Sequence, residues 1–139
     1  MSSDQTHPAE RAERAARAAM TAVTEGDRAA WLAAYSDSAV LRDPVGGSPL
    51  DPDADGLRGR AALEQFWDLT IAPNDVGFAI SAVHPSGREA AVVASVAIGF
   101  ANGAQVDYDG VFVYAVDDDG RIASVRSYFD LASVLAALA

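Results

Sequence analysis

The sequence changes at about residue 76, from helix-like segments to long β-rich runs, and this change constrains the fold more than any other feature. The runs are broken by the turn signals Ser86-Gly87, Asn102-Gly103 and Asp119-Gly120. Asn-Gly between two apolar runs is a strong hairpin signal. The spacing therefore predicts a meander of four antiparallel strands.

The two central strands, predicted near 89–100 and 105–117, are too long to stay flat. Each would extend about 40 Å at roughly 3.4 Å per residue, and long strands twist and coil. Gly99 and Gly110 are the expected bend or bulge points. We therefore expect a strongly curled sheet.

Three helices are predicted before the sheet. Residues 8–25 are rich in alanine and arginine, and Gly26 follows as a stop signal. Asp27 can cap a second, shorter helix over 28–35, and residues 59–73 predict a third. An apolar stretch at 131–139 predicts a short closing helix.

The segment between the second and third helices is predicted to hold one short strand and one long loop. Residues 39–43, AVLRD, have the composition of a strand that ends at Pro44. Residues 44–58 are rich in glycine and proline and predict an unusually long loop.

Helices followed by a curled antiparallel sheet predict an α+β cone, in which three N-terminal helices cover the concave face and leave a cavity. A chain of 139 residues fits one domain over 1–139, with 1–7 as a flexible tail. The outer face of the sheet would expose valine and alanine at alternate positions. Because an apolar face needs cover, we expect a homodimer.

Composition excludes several kinds of chemistry. The ten basic residues are all arginine and cysteine is absent, which excludes Schiff-base lysines, P-loop lysines and thiolate nucleophiles. The two histidines, His7 and His84, lie far apart in the chain, and His84 is expected at the surface. We therefore expect no metal and no other cofactor.

Charge and hydropathy limit the partners. The net charge of −10 opposes binding to nucleic acid. No stretch approaches the roughly 18 consecutive apolar residues that cross a bilayer, and residues 1–15 lack the apolar run of a signal peptide. We expect a soluble, cytoplasmic protein that binds a hydrophobic small molecule.

The segment LRDPVG at 41–46 places the Asp43 carboxylate where a strand ends and a loop begins. Side chains at such positions are often functional. An aspartate before proline also fits ordinary turn chemistry. The pattern alone leaves both interpretations open.

The stretch GDRAAWLAAYSDSAVLRDPVG, residues 26–46, resembles the ketosteroid-isomerase-like, or SnoaL-like, branch of the NTF2-like superfamily. GRAALEQFW resembles that branch's third helix, and DDDGRIASVRSYFD resembles its closing hairpin. The resemblance covers 10–130 and implies a cystatin-like roll. In ketosteroid isomerases the matching aspartate is the general base that moves a proton between carbons flanking a dienolate, which implies this role for Asp43.

The resemblance also implies a set of pocket residues. Tyr35, Trp67 and Tyr114 match positions that line the family's pocket, where an aromatic ring can pack against a substrate while its polar group donates. The full set of predicted substrate-binding residues is Tyr35, Trp67, Phe112, Tyr114, Trp31 and Tyr128.

The family's oxyanion hole is not reproduced in this sequence. It consists of a tyrosine and a protonated aspartic acid, and the matching positions hold Ala19 or Met20 and Phe112. Loss of one such donor typically lowers the rate by about 10²–10³. We therefore expect inefficient isomerisation of ordinary steroid substrates.

A second acid is the alternative to that oxyanion hole, because members of the branch that tailor polyketides use paired acids. Asp107 and Asp109 lie in the apolar strand VDYDGVFVYAV, where an acid must be solvated, paired or functional. Strict alternation leaves both outside the pocket, whereas a bulge at Gly110 would turn Asp109 inward. We predict that Asp109 reaches the pocket and acts as a protonated second acid.

The sequence thus predicts a cofactor-free isomerase or cyclase acting on a bulky apolar oxygenated substrate of steroid or polyketide type, with Asp43 as general base. Two alternatives stay open. One is an epoxide hydrolase, in which Asp43 activates water and another acid protonates the epoxide oxygen. The other is a non-catalytic carrier of a hydrophobic molecule, which the missing oxyanion donors favour.

Overall fold

The computed structural model describes residues 7–138, an α+β fold in which helices cover one curved sheet. The helices are α1 (Pro8–Glu25), α2 (Arg28–Ala33), α3 (Arg60–Phe66) and α4 (Leu131–Leu138), and a π-helical turn at Trp67–Ile71 follows α3. The strands are β1 (Tyr35–Arg42), β2 (Leu57–Arg58), β3 (Asp75–Ser86), β4 (Glu89–Gly99), β5 (Gln105–Val116) and β6 (Ile122–Tyr128). The predicted tail lies outside the described residues apart from His7.

The sheet has the strand order β2-β1-β6-β5-β4-β3 and does not close into a barrel. β1 runs parallel to β6, and all other neighbouring strands are antiparallel. The predicted meander of four strands is confirmed as β3 to β6. The predicted α+β class with a curved sheet is confirmed as well.

Helix α1 packs across the inner face of the sheet, where it contacts β3, β4 and β5. Its buried face is made mainly of alanine, and its buried residues are Ala12, Ala15, Ala16, Ala19, Met20, Ala22 and Val23. Short side chains allow a helix to approach the element beneath it closely. The alanine-rich composition of this segment therefore determines how close the helical layer lies to the sheet.

Helix α2 begins as predicted but ends earlier. Asp27 caps it by accepting a hydrogen bond from the Ala30 N–H at 3.1 Å. The prediction that this helix reaches residue 35 is wrong, because the Ala34 carbonyl accepts a hydrogen bond from the Ile122 N–H at 2.8 Å. The chain therefore enters the sheet beside β6, and Tyr35 already belongs to β1.

The strand register shows no β-bulge at Gly99 or Gly110, so the prediction of a bulge there is wrong. β4 and β5 pair along their whole length without a register shift. The register shifts lie elsewhere, between Tyr35 and Val40 in β1, between Ile80 and Ala82 in β3 and next to Val116 in β5.

Gly110 is instead required by close packing. A Cβ at this position would lie 3.1 Å from the Phe112 ring and 3.1 Å from the Tyr128 carbonyl oxygen. Both distances are shorter than ordinary van der Waals contacts. The absence of a side chain thus leaves room for the Phe112 ring on the inner face of the sheet.

The long segment at 44–58 is ordered around Asp51, whose side chain is buried. The Asp51 carboxylate accepts hydrogen bonds from the backbone N–H groups of Asp55 and Gly56, each at 3.0 Å. The end of the segment forms β2, which pairs with β1. The segment predicted as a loop therefore adds an edge strand to the sheet.

No helix within residues 7–138 combines the length and apolar character that crossing a membrane requires.

The homodimer stays a prediction. Valines of the outer sheet face, Val93 and Val113 among them, are only half-buried in the single chain.

Candidate active site

Asp43 follows directly after the last residue of β1 and is held against β6. The Val45 N–H donates to the Ser127 carbonyl oxygen at 2.9 Å, which fixes the start of the loop. The Ser127 side chain is fully buried, and its hydroxyl hydrogen-bonds to the Asp43 carboxylate. Ser127 therefore holds this part of the chain in two ways: its carbonyl binds the Val45 N–H, and its hydroxyl binds the Asp43 carboxylate.

Asp43 lines a cavity of about 90 Å³ between the helices and the inner face of the sheet. Within the described part of the chain, it is the only carboxylate that lines this cavity. The other lining residues are mostly apolar or aromatic: Val23, Trp31, Tyr35, Leu41, Phe66, Thr70, Ile71, Val76, Phe78, Val96, Ile98, Tyr108, Phe112, Tyr114, Val125 and Ser127. Nowhere in residues 7–138 does a group of three or more histidine, aspartate or glutamate side chains come together to hold a metal ion.

The cavity changes the acidity of Asp43. Part of the residue reaches the surface, but its carboxyl group is buried, and desolvation raises the pKa of that carboxyl to about 6. The Ser127 hydrogen bond opposes this rise in pKa, because it stabilises the charged form. A carboxyl with this pKa is roughly nine-tenths ionised at pH 7, so it can accept a proton and binds that proton more tightly than an ordinary aspartate does.

Three tyrosines, Tyr35, Tyr108 and Tyr114, line the same cavity. Desolvation raises the pKa of each phenol above its ordinary value, and the negative charge of Asp43 raises it further. Each hydroxyl therefore stays protonated at neutral pH and can donate a hydrogen bond. The cavity combines one ionised base with three candidate donors.

Five of the six predicted substrate-binding residues lie in or next to the cavity. Trp31, Tyr35, Phe112 and Tyr114 line it directly. Trp67 packs against Trp31, with ring centroids 5.4 Å apart, and lines a neighbouring groove instead. Contact of these residues with a substrate stays a prediction.

Tyr128 was expected at the pocket and lies outside it, with 46% of its surface exposed. Successive strand residues face opposite sides of a sheet. Because Ser127 faces the cavity, Tyr128 faces away from it. His84 is exposed, as predicted.

The prediction that Asp109 reaches the cavity is wrong. β5 pairs with β4 without a bulge, which places Asp109 opposite Ser95. The Ser95 hydroxyl donates to the Asp109 carboxylate at 2.6 Å, and this pair is exposed. Alternation along β5 turns Tyr108 and Gly110 inward and leaves Asp109 and Asp107 outside.

Two residues that contact or face Asp43, Tyr108 and Ser127, were not predicted as pocket residues from the sequence. Tyr108 shares the period-two alternation of Phe112 and Tyr114, so the pattern itself contained the signal. Ser127 had no such signal, because a small polar residue in a strand more often faces solvent.

A family model described as a SnoaL-like domain matches residues 16–125. The chain belongs to the SnoaL-like branch of the NTF2-like superfamily. A Δ5-3-ketosteroid isomerase from Mycobacterium sp. is 36% identical in sequence and superposes with a TM-score of 0.83, over 88% of this chain and 95% of that chain.

Two further solved structures are similar to this SnoaL-like protein. A Mycobacterium tuberculosis protein in complex with estradiol-17β-hemisuccinate is 32% identical, with a TM-score of 0.83 over 88% of this chain and 95% of that chain. A putative polyketide cyclase from Xanthomonas campestris is 22% identical, with a TM-score of 0.79 over 95% and 99%, and shares the fold. No curated protein matches the chain significantly.

In this SnoaL-like protein, the positions that the sequence resemblance matches to the oxyanion hole of ketosteroid isomerases are Ala19 or Met20 and Phe112. All three side chains are buried, and none carries a polar hydrogen. Hydrogen-bond donors in the cavity come instead from other side chains, among them the three phenols near Asp43.

Replacement of Asp43 by asparagine should stabilise the folded protein at pH 7.5. A raised carboxyl pKa means that ionisation of Asp43 destabilises the folded state, and this loss of stability develops as the pH rises from about 4 to above 6. The rise from 3.8 to about 6 corresponds to up to about 3 kcal/mol at pH 7.5. Asparagine carries no charge and avoids the loss.

Thermal unfolding of both proteins at pH 7.5 and pH 4 measures this effect. The melting temperature of Asp43→Asn should exceed that of the wild type at pH 7.5, and most of the difference should disappear at pH 4. Asp109→Asn, on the exposed outer face, is the matched control and should show no such dependence. A variant that is less stable than the wild type at pH 7.5 would contradict the assignment of a buried, raised-pKa carboxyl.

Proposed function

We propose that this protein is a cofactor-free acid–base isomerase or cyclase that acts on a bulky, apolar, oxygenated substrate of steroid or polyketide type. Asp43 is the general base. The observation that carries the proposal is the position of this carboxyl, with its pKa of about 6, in an apolar cavity that it shares with three phenols. Relatives that are a ketosteroid isomerase and a putative polyketide cyclase support the reaction class.

In an isomerisation, the Asp43 carboxylate removes a proton from a carbon next to the substrate carbonyl. The electron pair of the broken C–H bond moves into the conjugated system and gives a dienolate with its negative charge on oxygen. The protonated Asp43 then returns the proton to a different carbon, which restores the carbonyl and the carboxylate. A pKa near the working pH suits both halves of this transfer.

In a cyclisation, the same first step produces an enolate carbon. This carbon attacks a second carbonyl of the same molecule, a C–C bond forms, and the resulting alkoxide takes the proton back from Asp43. Both reactions need only one group that accepts and returns a proton, together with a donor that stabilises the charge on oxygen.

Tyr114 is the first candidate for that donor. Its side chain is buried on β5, and both desolvation and the Asp43 charge raise the pKa of its phenol. Tyr35 accepts a hydrogen bond from Trp31 and is more deeply enclosed. Tyr108 is less buried and packs against Phe129, with ring centroids 4.7 Å apart.

A non-catalytic carrier of a hydrophobic molecule is the second candidate function. The absence of hydrogen-bond donors at Ala19 or Met20 and at Phe112 favours it, as does the relative solved with a bound steroid derivative. An epoxide hydrolase would need a second acid to protonate the epoxide oxygen. Among the described residues that line the cavity, Asp43 is the only acid, which weighs against this alternative.

Asp43→Asn should lower the turnover of a Δ5-3-ketosteroid or of a model polyketide by at least about a hundredfold, because general-base catalysis contributes roughly 10²–10⁴. Wild-type turnover should fall as the pH drops below about 6, where the base becomes protonated. Steady-state assays across this pH range measure both effects, with Asp109→Asn as the control that keeps wild-type turnover. Wild-type turnover in a folded Asp43→Asn variant would refute Asp43 as the general base. Binding of these substrates without any turnover by the wild type would leave the carrier function instead.

Tyr114→Phe should reduce kcat by about a hundredfold with little change in KM, because loss of one oxyanion donor acts mainly on the transition state. The ring and its packing are kept, so the change tests the hydroxyl alone. Tyr128→Phe removes an exposed hydroxyl and serves as the control. Unchanged kcat in Tyr114→Phe, together with a loss in Tyr108→Phe, would transfer the role to Tyr108.

A further inference from the structure

The π-helical turn at Trp67–Ile71 places a polar residue at the cavity and an apolar residue in solvent. Leu69 is 55% exposed, whereas the next residue, Thr70, lines the Asp43 cavity. Leucine is ordinarily the buried member of such a pair and threonine the exposed one. Folds break this preference most often at functional sites. Thr70 is therefore a candidate functional residue, and the proton transfer to and from Asp43 does not use it.

Two hydrogen bonds hold the backbone of Thr70 in place. The Ala72 N–H donates to the Trp67 carbonyl oxygen at 2.8 Å, which is the wide spacing of a π-helix. The Asn74 side-chain amide donates to the Thr70 carbonyl oxygen at 2.7 Å. Single π-helical turns inside helices occur frequently at functional sites. The wide turn and Asn74 together fix Thr70 beside the cavity.

The Thr70 hydroxyl has no hydrogen-bond partner within residues 7–138. A threonine in a helix commonly bonds to the carbonyl one turn back, as the Thr24 hydroxyl does with the Met20 carbonyl oxygen at 3.1 Å. Thr70 makes no such bond, and its hydroxyl oxygen stays accessible. The other aliphatic hydroxyl among the described lining residues, that of Ser127, is bonded to Asp43. Thr70 therefore keeps both a donor and an acceptor for a ligand.

Thr70 lies on the opposite wall of the cavity from the groups proposed to move and stabilise charge. The three phenols belong to β1 and β5, and Asp43 follows β1. Thr70 belongs to the helical layer that covers the sheet. A substrate between the two walls therefore meets the base and the phenols on its sheet side and the Thr70 hydroxyl on its helical side.

We infer that Thr70 is a specificity-determining residue whose hydroxyl binds a second oxygen of the substrate, separate from the oxygen that is activated beside Asp43. The inference rests on the proposed function. A substrate that lacks this second oxygen leaves the hydroxyl unpaired in an apolar cavity, which is unfavourable. The protein therefore prefers substrates with the second oxygen over otherwise identical molecules without it.

Three steroids that differ only in a second oxygen test the inference: androst-4-en-3-one, its 11-ketone and its 17-ketone. Titrations of the full chain, followed by the fluorescence of Trp31 and Trp67, give the three dissociation constants. Thr70→Val keeps the shape of the side chain and removes the hydroxyl. Relative to its effect on androst-4-en-3-one, this change should weaken the binding of at least one diketone by about fivefold or more, because one hydrogen bond is lost.

Two variants serve as controls. Thr70→Ser retains the hydroxyl and should keep the wild-type ratios of the three dissociation constants. Thr21→Val removes a threonine hydroxyl at an exposed position outside the cavity and should keep these ratios as well.

Two results with Thr70→Val would overturn the inference alone. An equal loss of affinity for all three steroids would assign the hydroxyl to the 3-ketone that they share, and unchanged affinities would leave the hydroxyl without a role in recognition. Failure of all three steroids to bind the wild type would refute the steroid arm of the proposed function and the inference with it.

Discussion

The burial of the Asp43 carboxyl in an apolar cavity is the constraint on which the chemistry of this site depends. A charge removed from water without an opposite charge is strongly disfavoured, and such a group responds by a shift in its pKa. No arginine or histidine of the described residues lines the cavity. Among the described lining residues, Ser127 hydrogen-bonds to the carboxylate, and Tyr35, Tyr108 and Tyr114 lie close enough for its charge to raise their pKa values. The site therefore holds a base that is stronger than an ordinary aspartate and still ionised near neutral pH.

The scaffold creates this environment through close packing and unbroken alternation. The alanine face of α1 brings the helical layer down onto the sheet. Along β5, Tyr108, Phe112 and Tyr114 all face inward because the register does not slip. Gly110 lies between them and leaves the space that the Phe112 ring needs. A bulge at this glycine would bring a second acid inward but would turn Tyr108 away from the base.

Local signals in the sequence were sufficient to locate the helices and the four-strand meander and to select Asp43 as the candidate base, but not to find β2. Asn102-Gly103 and the other turn signals located the hairpins, because turn preferences depend on a few adjacent residues. The strand-to-loop boundary and the family motif pointed to Asp43. Three features depended on residues far apart in the chain. The early end of α2 is caused by the hydrogen bond from the Ile122 N–H, and the outward direction of Asp109 is caused by its pairing with Ser95. The third feature is the contact between Ser127 and Asp43. No local pattern encodes such cross-strand contacts.

Titration of the Asp43 carboxyl tests the central claim most directly. Carbon-13 NMR of protein with labelled aspartate would follow each carboxyl as a function of pH, and the Asp43→Asn spectrum would assign the resonance. The account predicts that Asp43 titrates with a pKa of about 6, and that Ser127→Ala moves this pKa upward because a hydrogen bond to the charged form is lost. A pKa near 4, the ordinary value of an aspartate, would contradict the account.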